Sequence, residues 1–395
     1  MKTLLITLTL LISLNIFGQE NLRIEKVDSL EYCEKGNVFL ANYQFNKAIE
    51  YLNHCYRDDT ENIDYLKKIA LCNYKLGRLQ SAKKIYLKIL TKDSINISVL
   101  NQLAIIYLKE SNYKKSQEQY QKLINIDASN SYYHKKIAEI YLKKADIENS
   151  IFHFEKAHLY NPSNIEVIVE LSRIYLGLKF YVIVDSLLSK GRVLDATNVK
   201  LILYQAKSAY MQKNYPSVIN NVNQILTSAK DTSAYLLKLL GISNFHVKNY
   251  QNAIVILEKI TDDNKQSEII HYYLGLAHRE AGNINNSIKY FEKAINKGIS
   301  NNISTYYTNL AVSLEEKGMF KESINAYQAA YKSSKDKILL YHLARNYDSY
   351  YKNKKTALKY YEMYLAKNDT GNVKFKNYSK HRISELKQII HFDID

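Results

Sequence analysis

Residues Tyr141 to Pro162 read YLKKADIENSIFHFEKAHLYNP, and Tyr107 to Ala128 read YLKESNYKKSQEQYQKLINIDA. Both open on Tyr-Leu-Lys, cross a short polar break, and continue into a run with apolar residues at helical spacing. The two stretches stand 34 residues apart, and the interval recurs along the chain. It is marked by a small residue near the start of each second run: Ala48, Ala82, Ser116, Ser150, Val184, Val218, Ala253, Ser287, Ser323 and Ala357. Twelve residues earlier stands another small residue, from Gly36, Ala70 and Ala104 through Gly241, Gly275 and Ala311; in the last unit it is Ala344, thirteen earlier. Four residues later comes a large apolar one, among them Leu52, Tyr86, Tyr120, Phe154, Leu257, Phe291 and Tyr361.

Small side chains at a fixed interval mark where two helices cross closely, and large ones a turn away fill the space beside the crossing. A second large residue precedes each small one by three, as Phe45, Tyr113 and Phe320 do, with Lys354 the exception. Between the paired runs lies an Asn or Asp in six units: Asn112, Asp146, Asn214, Asn249, Asn283 and Asn353. An Asx there accepts from the free amides that open the second helix. Each unit is therefore helix, turn, helix, with an apolar face that only a stacked neighbour can cover. With 2 prolines and 11 glycines among 395 residues, little interrupts such helices.

The pattern resembles the tetratricopeptide repeat family. The fourth unit carries that family's closing proline as Pro162, whereas its first-helix tryptophan is replaced by residues such as Tyr32, Leu66 and Leu100. The resemblance implies an all-α fold, a right-handed α-solenoid of about ten antiparallel helix pairs. Their limits fall near 29–62, 63–96, 97–130, 131–164, 165–198, 199–233, 234–267, 268–303, 304–336 and 337–365. An amphipathic stretch over 372–392 reads as a capping helix.

The amino terminus reads as an export signal over residues 1–18: Lys2, an uncharged apolar run from Leu4 to Leu14, then Gly18 before a polar segment. No apolar run reaches spanning length, so the mature form is expected to have no transmembrane span and to reside in the periplasm or on the cell envelope. Cys33, Cys55 and Cys72 all fall on helical positions. Three is a poor disulfide framework, and they read as small packing residues in preference to a Cys55–Cys72 bridge. Zinc lacks the paired spacing it needs.

No catalytic constellation is present in the sequence: no HExxH, no GxSxG, no phosphate-cradling glycine loop. His271 and His278 share a helix face but read as packing positions, since two ligands without a third seldom hold a metal. Neither cofactor nor metal is called for, and a non-enzymatic interaction protein is expected. The family's concave face is lined by first helices, and the resemblance places there Lys67, Lys68, Lys135, Lys136, Arg173, Lys207, Tyr210, Lys238, Tyr272, Arg279 and Arg345. Glu139, Glu166, Glu315 and Asp348 accompany them. The family's carboxylate clamp does not assemble: Asn37 fits one position, but Cys33 stands where a lysine belongs. With a net charge of +16, the lining fits an acidic or extended protein segment. The alternative is an anionic envelope polysaccharide or lipid headgroup on a basic face, such as Lys374 to Arg382. Export argues against nucleic acid.

Overall fold

The computed structural model describes residues 31–58, 61–228, 232–260, 267–298, 301–367 and 372–392; the leader expected over 1–18 lies outside them. Among the described residues every regular element is a helix. The chain divides into two units after Leu178. The first holds α1 (31–41), α2 (Phe45–Asp58), α3 (Ile63–Lys75), α4 (Leu79–Lys92), α5 (Ile97–Lys109), α6 (Tyr113–Ile126), α7 (Ser131–Lys143), α8 (Ile147–Tyr160) and α9 (Ile165–Gly177). The second holds α10 (Tyr181–Leu194), α11 (Val199–Met211), α12 (Tyr215–Ser228), α13 (Ala234–His246), α14 (Tyr250–Leu257), α15 (Ser267–Glu280) and α16 (Ile284–Lys297). It continues with α17 (Ile303–Glu316), α18 (Phe320–Ser334), α19 (Ile338–Tyr350), α20 (Lys355–Lys367) and α21 (Val373–Phe392). Within each unit a helix packs on its neighbours in sequence, giving a stack of antiparallel pairs.

The small residues sit where the helices touch. All ten second-helix positions, from Ala48 to Ala357, are 0% exposed. At three of the four serines it also closes the contact with a hydrogen bond, while Ser287 bonds Ser313 Oγ of α17 at 2.9 Å. Ser116 Oγ donates to the Ala104 carbonyl at 2.8 Å, Ser150 Oγ to Ala138 at 3.1 Å, and Ser323 Oγ to Ala311 at 2.9 Å. Each acceptor is the small residue twelve positions back. The first-helix glycines at the crossing position face the large residue of the partner helix. A Cβ on Gly275 would come within 2.7 Å of the Phe291 ring, and one on Gly241 within 2.5 Å of Leu257.

Turns between paired helices end in one recurrent form. Gly77, Ser111, Ala145, Lys213, Lys248, Gly282 and Gly318 all have positive φ. The next residue donates its amide back across the turn, as Asn112 N does to Tyr107 O and Asn214 N to Ala209 O, both at 2.8 Å. This closes the Schellman arrangement at the end of these first helices, whereas α19 runs out into extended backbone at Tyr351. The Asx expected after it caps the second helix at Asn112, Asp146, Asn214, Asn283 and Asn353, whose side chains accept from Lys115, Asn149, Ser217, Asn286 and Lys355 amides. Asn249 departs from the rule: its amide turns to Asn244 Oδ1 at 3.2 Å, and α14 has no side-chain cap. A second series opens the first helices at Asn62, Asn96, Asn130, Asn164 and Asn198, each accepting from an amide of the turn it begins.

The cysteines correct the sequence reading. Cys33 of α1 and Cys55 of α2 form a disulfide, so they are not simple packing residues. Cys72 is a free, fully buried thiol, and the Cys55–Cys72 alternative is also excluded. The two helices run antiparallel, which brings residues 22 apart within bridging distance, at a Cα–Cα separation of 5.5 Å. At the other end α21 covers α19 and α20, burying Leu386 against Tyr341, Tyr361 and Tyr364. Asp348, 9% exposed, holds the cap in register: Arg382 Nε and Nη2 donate to its two oxygens at 2.7 and 3.0 Å. Lys354, the exception to the aromatic series, adds an ammonium 3.4 Å from the same carboxylate.

Candidate partner-binding face

The residues expected to line a groove all lie on first helices. Lys67 and Lys68 are on α3, Lys135 and Lys136 on α7, and Arg173 on α9 of the first unit. Lys207 and Tyr210 are on α11, Lys238 on α13, Tyr272 and Arg279 on α15, and Arg345 on α19 of the second.

Most of these cations already have partners. Lys67 pairs with Asp64 at 3.2 Å, Lys136 with Glu139 at 2.8 Å, and Arg173 with Glu170 at 2.8 Å, all within one helix. Others reach the adjacent first helix. Lys68 Nζ donates to Asn37 Oδ1 at 2.7 Å, Lys135 pairs with Glu166, Arg279 Nη1 donates to Asn309 Oδ1 at 3.1 Å, and Arg345 lies 3.5 Å from Glu315. These partners stand 30 or 31 residues away in sequence, one repeat less a helical turn. Such half-exposed pairs contribute about 0–1 kcal/mol each, so their main effect is to fix the stacking register.

Lys207 and Lys238 differ. Both ammonium groups lie against the ring of Tyr235, at 5.3 and 5.5 Å from its centre, and Lys207 also lies 4.8 Å from that of Tyr204. Burial lowers both ammonium pKa values from their ordinary range. Lys207 has rings for neighbours and no carboxylate partner among the described residues. Each cation–ring contact contributes about 0.5–2 kcal/mol, rising with desolvation. Around this pair the face is aromatic. Tyr210 meets Tyr215 at 6.2 Å, His246 stacks on Tyr215 at 4.2 Å, and Tyr272 meets Tyr306 at 5.0 Å. Burial first, then neighbouring phenols, raises the pKa of Tyr235 and Tyr273, so both keep their hydroxyl protons at neutral pH.

The structure thus gathers Lys207, Tyr210, Lys238, Tyr272 and Arg279 on successive first helices of the second unit. It leaves the others distributed along their own helices. Tyr204, Tyr235, Tyr273 and His246 were missing from the sequence reading. Tyr204 and Tyr235 each precede a lysine of the candidate face, Lys207 and Lys238, by three residues, a spacing that puts ring and ammonium on one helical surface.

The histidines form packing pairs. His271 and His278 are buried with rings stacked 6.0 and 5.2 Å from Tyr290. His134 of α7 and His153 of α8, which the sequence did not connect, place their Nδ1 atoms 3.1 Å apart. His134 Nε2 lies 3.1 Å from the Ala128 carbonyl, which requires a proton on Nε2 and makes its Nδ1 the acceptor of the His153 Nδ1–H. Burial, with the His134 charge second, pushes the His153 pKa down to about 4. Among the described residues no group of three or more His, Cys, Asp or Glu could hold a metal ion, and no helix is long and apolar enough to cross a membrane.

A family model described as tetratricopeptide repeat matches residues 97–130, 270–296 and 304–337. No curated protein matches the chain in sequence. Among solved structures, MamA (residues 41 to the end) from Desulfovibrio magneticus RS-1 is similar, at 16% identity and a TM-score of 0.39, over 43% of this chain and 96% of that one. PilF of Pseudomonas aeruginosa is similar at 16% identity and a TM-score of 0.42, over 50% and 90%. A tetratricopeptide repeat protein from Parabacteroides merdae ATCC 43184 shares 17% identity, with a TM-score of 0.31, over 72% and 98%.

Proposed function

The chain carries tetratricopeptide repeats, and from that premise we propose that it is a non-enzymatic scaffold of the cell envelope that holds an extended, acidic segment of a partner protein. The seat of binding is the first-helix face of α11, α13 and α15. One observation carries the choice: Lys207 is a partly desolvated ammonium with no carboxylate of its own, set among phenols. A partner carboxylate placed there gains a charge-assisted bond without first breaking an internal pair. The cations of the first unit offer no such gain, because Lys67, Lys135, Lys136 and Arg173 already face carboxylates. Export is supported by the leader pattern and by a disulfide, which persists in an oxidising compartment.

Crosslinking in cells followed by mass spectrometry tests the reading. The wild-type chain should capture a defined envelope protein. Reversing Lys207 and Lys238 to Glu should weaken that capture at least ~10-fold, because like charges replace opposite ones at a partly desolvated contact. Reversing Lys67 and Lys68 should leave it unchanged. Capture insensitive to the first double reversal would reject the assigned face. Salt-sensitive retention on anionic polysaccharide or vesicles, lost on reversing Lys67, Lys68, Lys135 and Lys136, would replace the reading with the polymer-binding one. Fractionation of cells, with the amino-terminal residue of the recovered protein determined, decides the compartment.

A further inference from the structure

A pocket chemically different from that face lies in the second unit, between α10, α11 and α12. It is an open depression of about 310 Å³ lined by Asp185, Ser189, Gln205, Gln212, Asn214 and Asn221, over a floor that includes Ala209. Gln205, Ala209 and Gln212 share one side of α11, at i, i+4 and i+7, opposite Lys207. The pocket is therefore separate from the face assigned above, and the two stand or fall independently.

Its walls hold one negative charge without a counter-ion. Asp185 Oδ1 accepts from Ser208 Oγ at 2.7 Å, and its Oδ2 from Gln212 Nε2 at 3.0 Å. Both donors are neutral, and Asp185 has no cation partner among the described residues. Asp185 is itself exposed, and its bond to the buried Ser208 orients the carboxylate while each oxygen keeps an accepting position toward the pocket. Asn221 is 9% exposed; its amide nitrogen is spent on the Ser217 carbonyl at 2.9 Å and Ser217 Oγ at 3.3 Å. Its Oδ1 accepts nothing among the described residues and lines the pocket.

We propose that this pocket binds an organic cation, a guanidinium or primary ammonium group. The walls present a carboxylate and amide oxygens converging on one space, which requires a ligand rich in N–H donors. The unpaired charge of Asp185 favours a positive ligand and disfavours phosphates and carboxylates. A metal ion is not served, because Asp185 is the one ionisable ligand in the lining. The group can come from the basic side chain of a peptide or from a free amine, and the two sources share this chemistry.

Titration of the full-length chain with agmatine, and separately with a capped arginine tripeptide, tests the site by calorimetry. Saturable millimolar or tighter binding of either probe supports it, and the tighter of the two identifies the source. Asp185→Asn should weaken that binding about tenfold or more, as expected for loss of one charged hydrogen-bonded contact. Ser189→Lys places an ammonium at the exposed rim and should abolish binding while leaving the helical circular dichroism unchanged. The Lys207→Glu and Lys238→Glu reversals should not affect it. Absence of saturable binding to the wild-type chain overturns the proposal. So does agmatine binding unchanged in both Asp185→Asn and Ser189→Lys, or equal heats from glucose.

Discussion

At the scale of the residue, side-chain size governs this chain. Gly275 is the clearest case, because a methyl group there meets the Phe291 ring at 2.7 Å. Gly275→Ala should destabilise by about 1–3 kcal/mol in urea denaturation, the usual cost of overfilling a packed contact; a neutral result would mean the ring moves freely. The turn residues predict the opposite sign. Ala145 holds φ +58° and Lys213 φ +60°, a region that costs an L-residue about 1–2 kcal/mol, part of which glycine recovers. Ala145→Gly should therefore raise stability by roughly 0.5 kcal/mol, whereas Gly282→Ala should lower it by a similar amount. The small positions were legible in the sequence because size is written in residue type. The strained turns were not, because the other units' Tyr43, Ser111, Ala145 and lysines carry no mark of positive φ. His153 adds a pH dependence. The unfolded chain takes up its proton near 6.5, the folded one only near about 4. Between those values the unfolded state binds more protons, so stability falls as pH drops through that window. Denaturation midpoints at neutral pH and inside the window should differ less for His153→Phe than for the wild-type chain. Equal slopes would assign the titration to another group.

At the scale of the element, the two ends of the chain are held by different means. The Cys33–Cys55 bridge closes α1 onto α2 across 22 residues of sequence. Closing a loop of that length stabilises by about 3 kcal/mol through the unfolded state. Reduction, or Cys33→Ser, should loosen the first pair by that order, seen as early proteolysis before residue 60 with later helices still protected. The bridge was hidden in the sequence because an odd cysteine gives no pairing rule, and only the antiparallel hairpin shows which two face each other. The carboxyl-terminal cap depends on Asp348 and Arg382. Arg382→Met leaves the nearly buried Asp348 carboxylate with Lys354 alone and should cost about 1.5–3 kcal/mol, whereas changing Arg382 and Asp348 together to apolar residues should cost less. The candidate face shows the same limit of legibility. Its cations were readable from register, yet their neutralisation was not counted, although Lys135 and Glu166, or Glu315 and Arg345, stand one repeat less a turn apart.

At the scale of the whole molecule, cohesion is local. The buried clusters each span a few consecutive helices, as Leu66 to Tyr107 does over α3, α4 and α5, and Leu100 to Ile140 does over α5, α6 and α7. No residue of one cluster depends on distant sequence, so stability is approximately a sum of pair and neighbour terms. A chain of this kind does not have to unfold in one step. Leu103→Ala in the first unit removes a fully buried side chain and should cost about 2–5 kcal/mol there. Leu340→Ala, also 0% exposed, does the same in the second. If cohesion is local, hydrogen exchange should rise around α3 to α7 in the first variant and around α18 to α21 in the second, with the other unit's protection unchanged. A single cooperative transition in which either substitution lowers protection uniformly would contradict this. The same locality bears on function, because a partner ordering α11 to α15 would protect those helices and leave α3 to α7 as they were. Exchange measured with and without the captured partner therefore separates a seat on Lys207 and Tyr235 from one spread along every first helix.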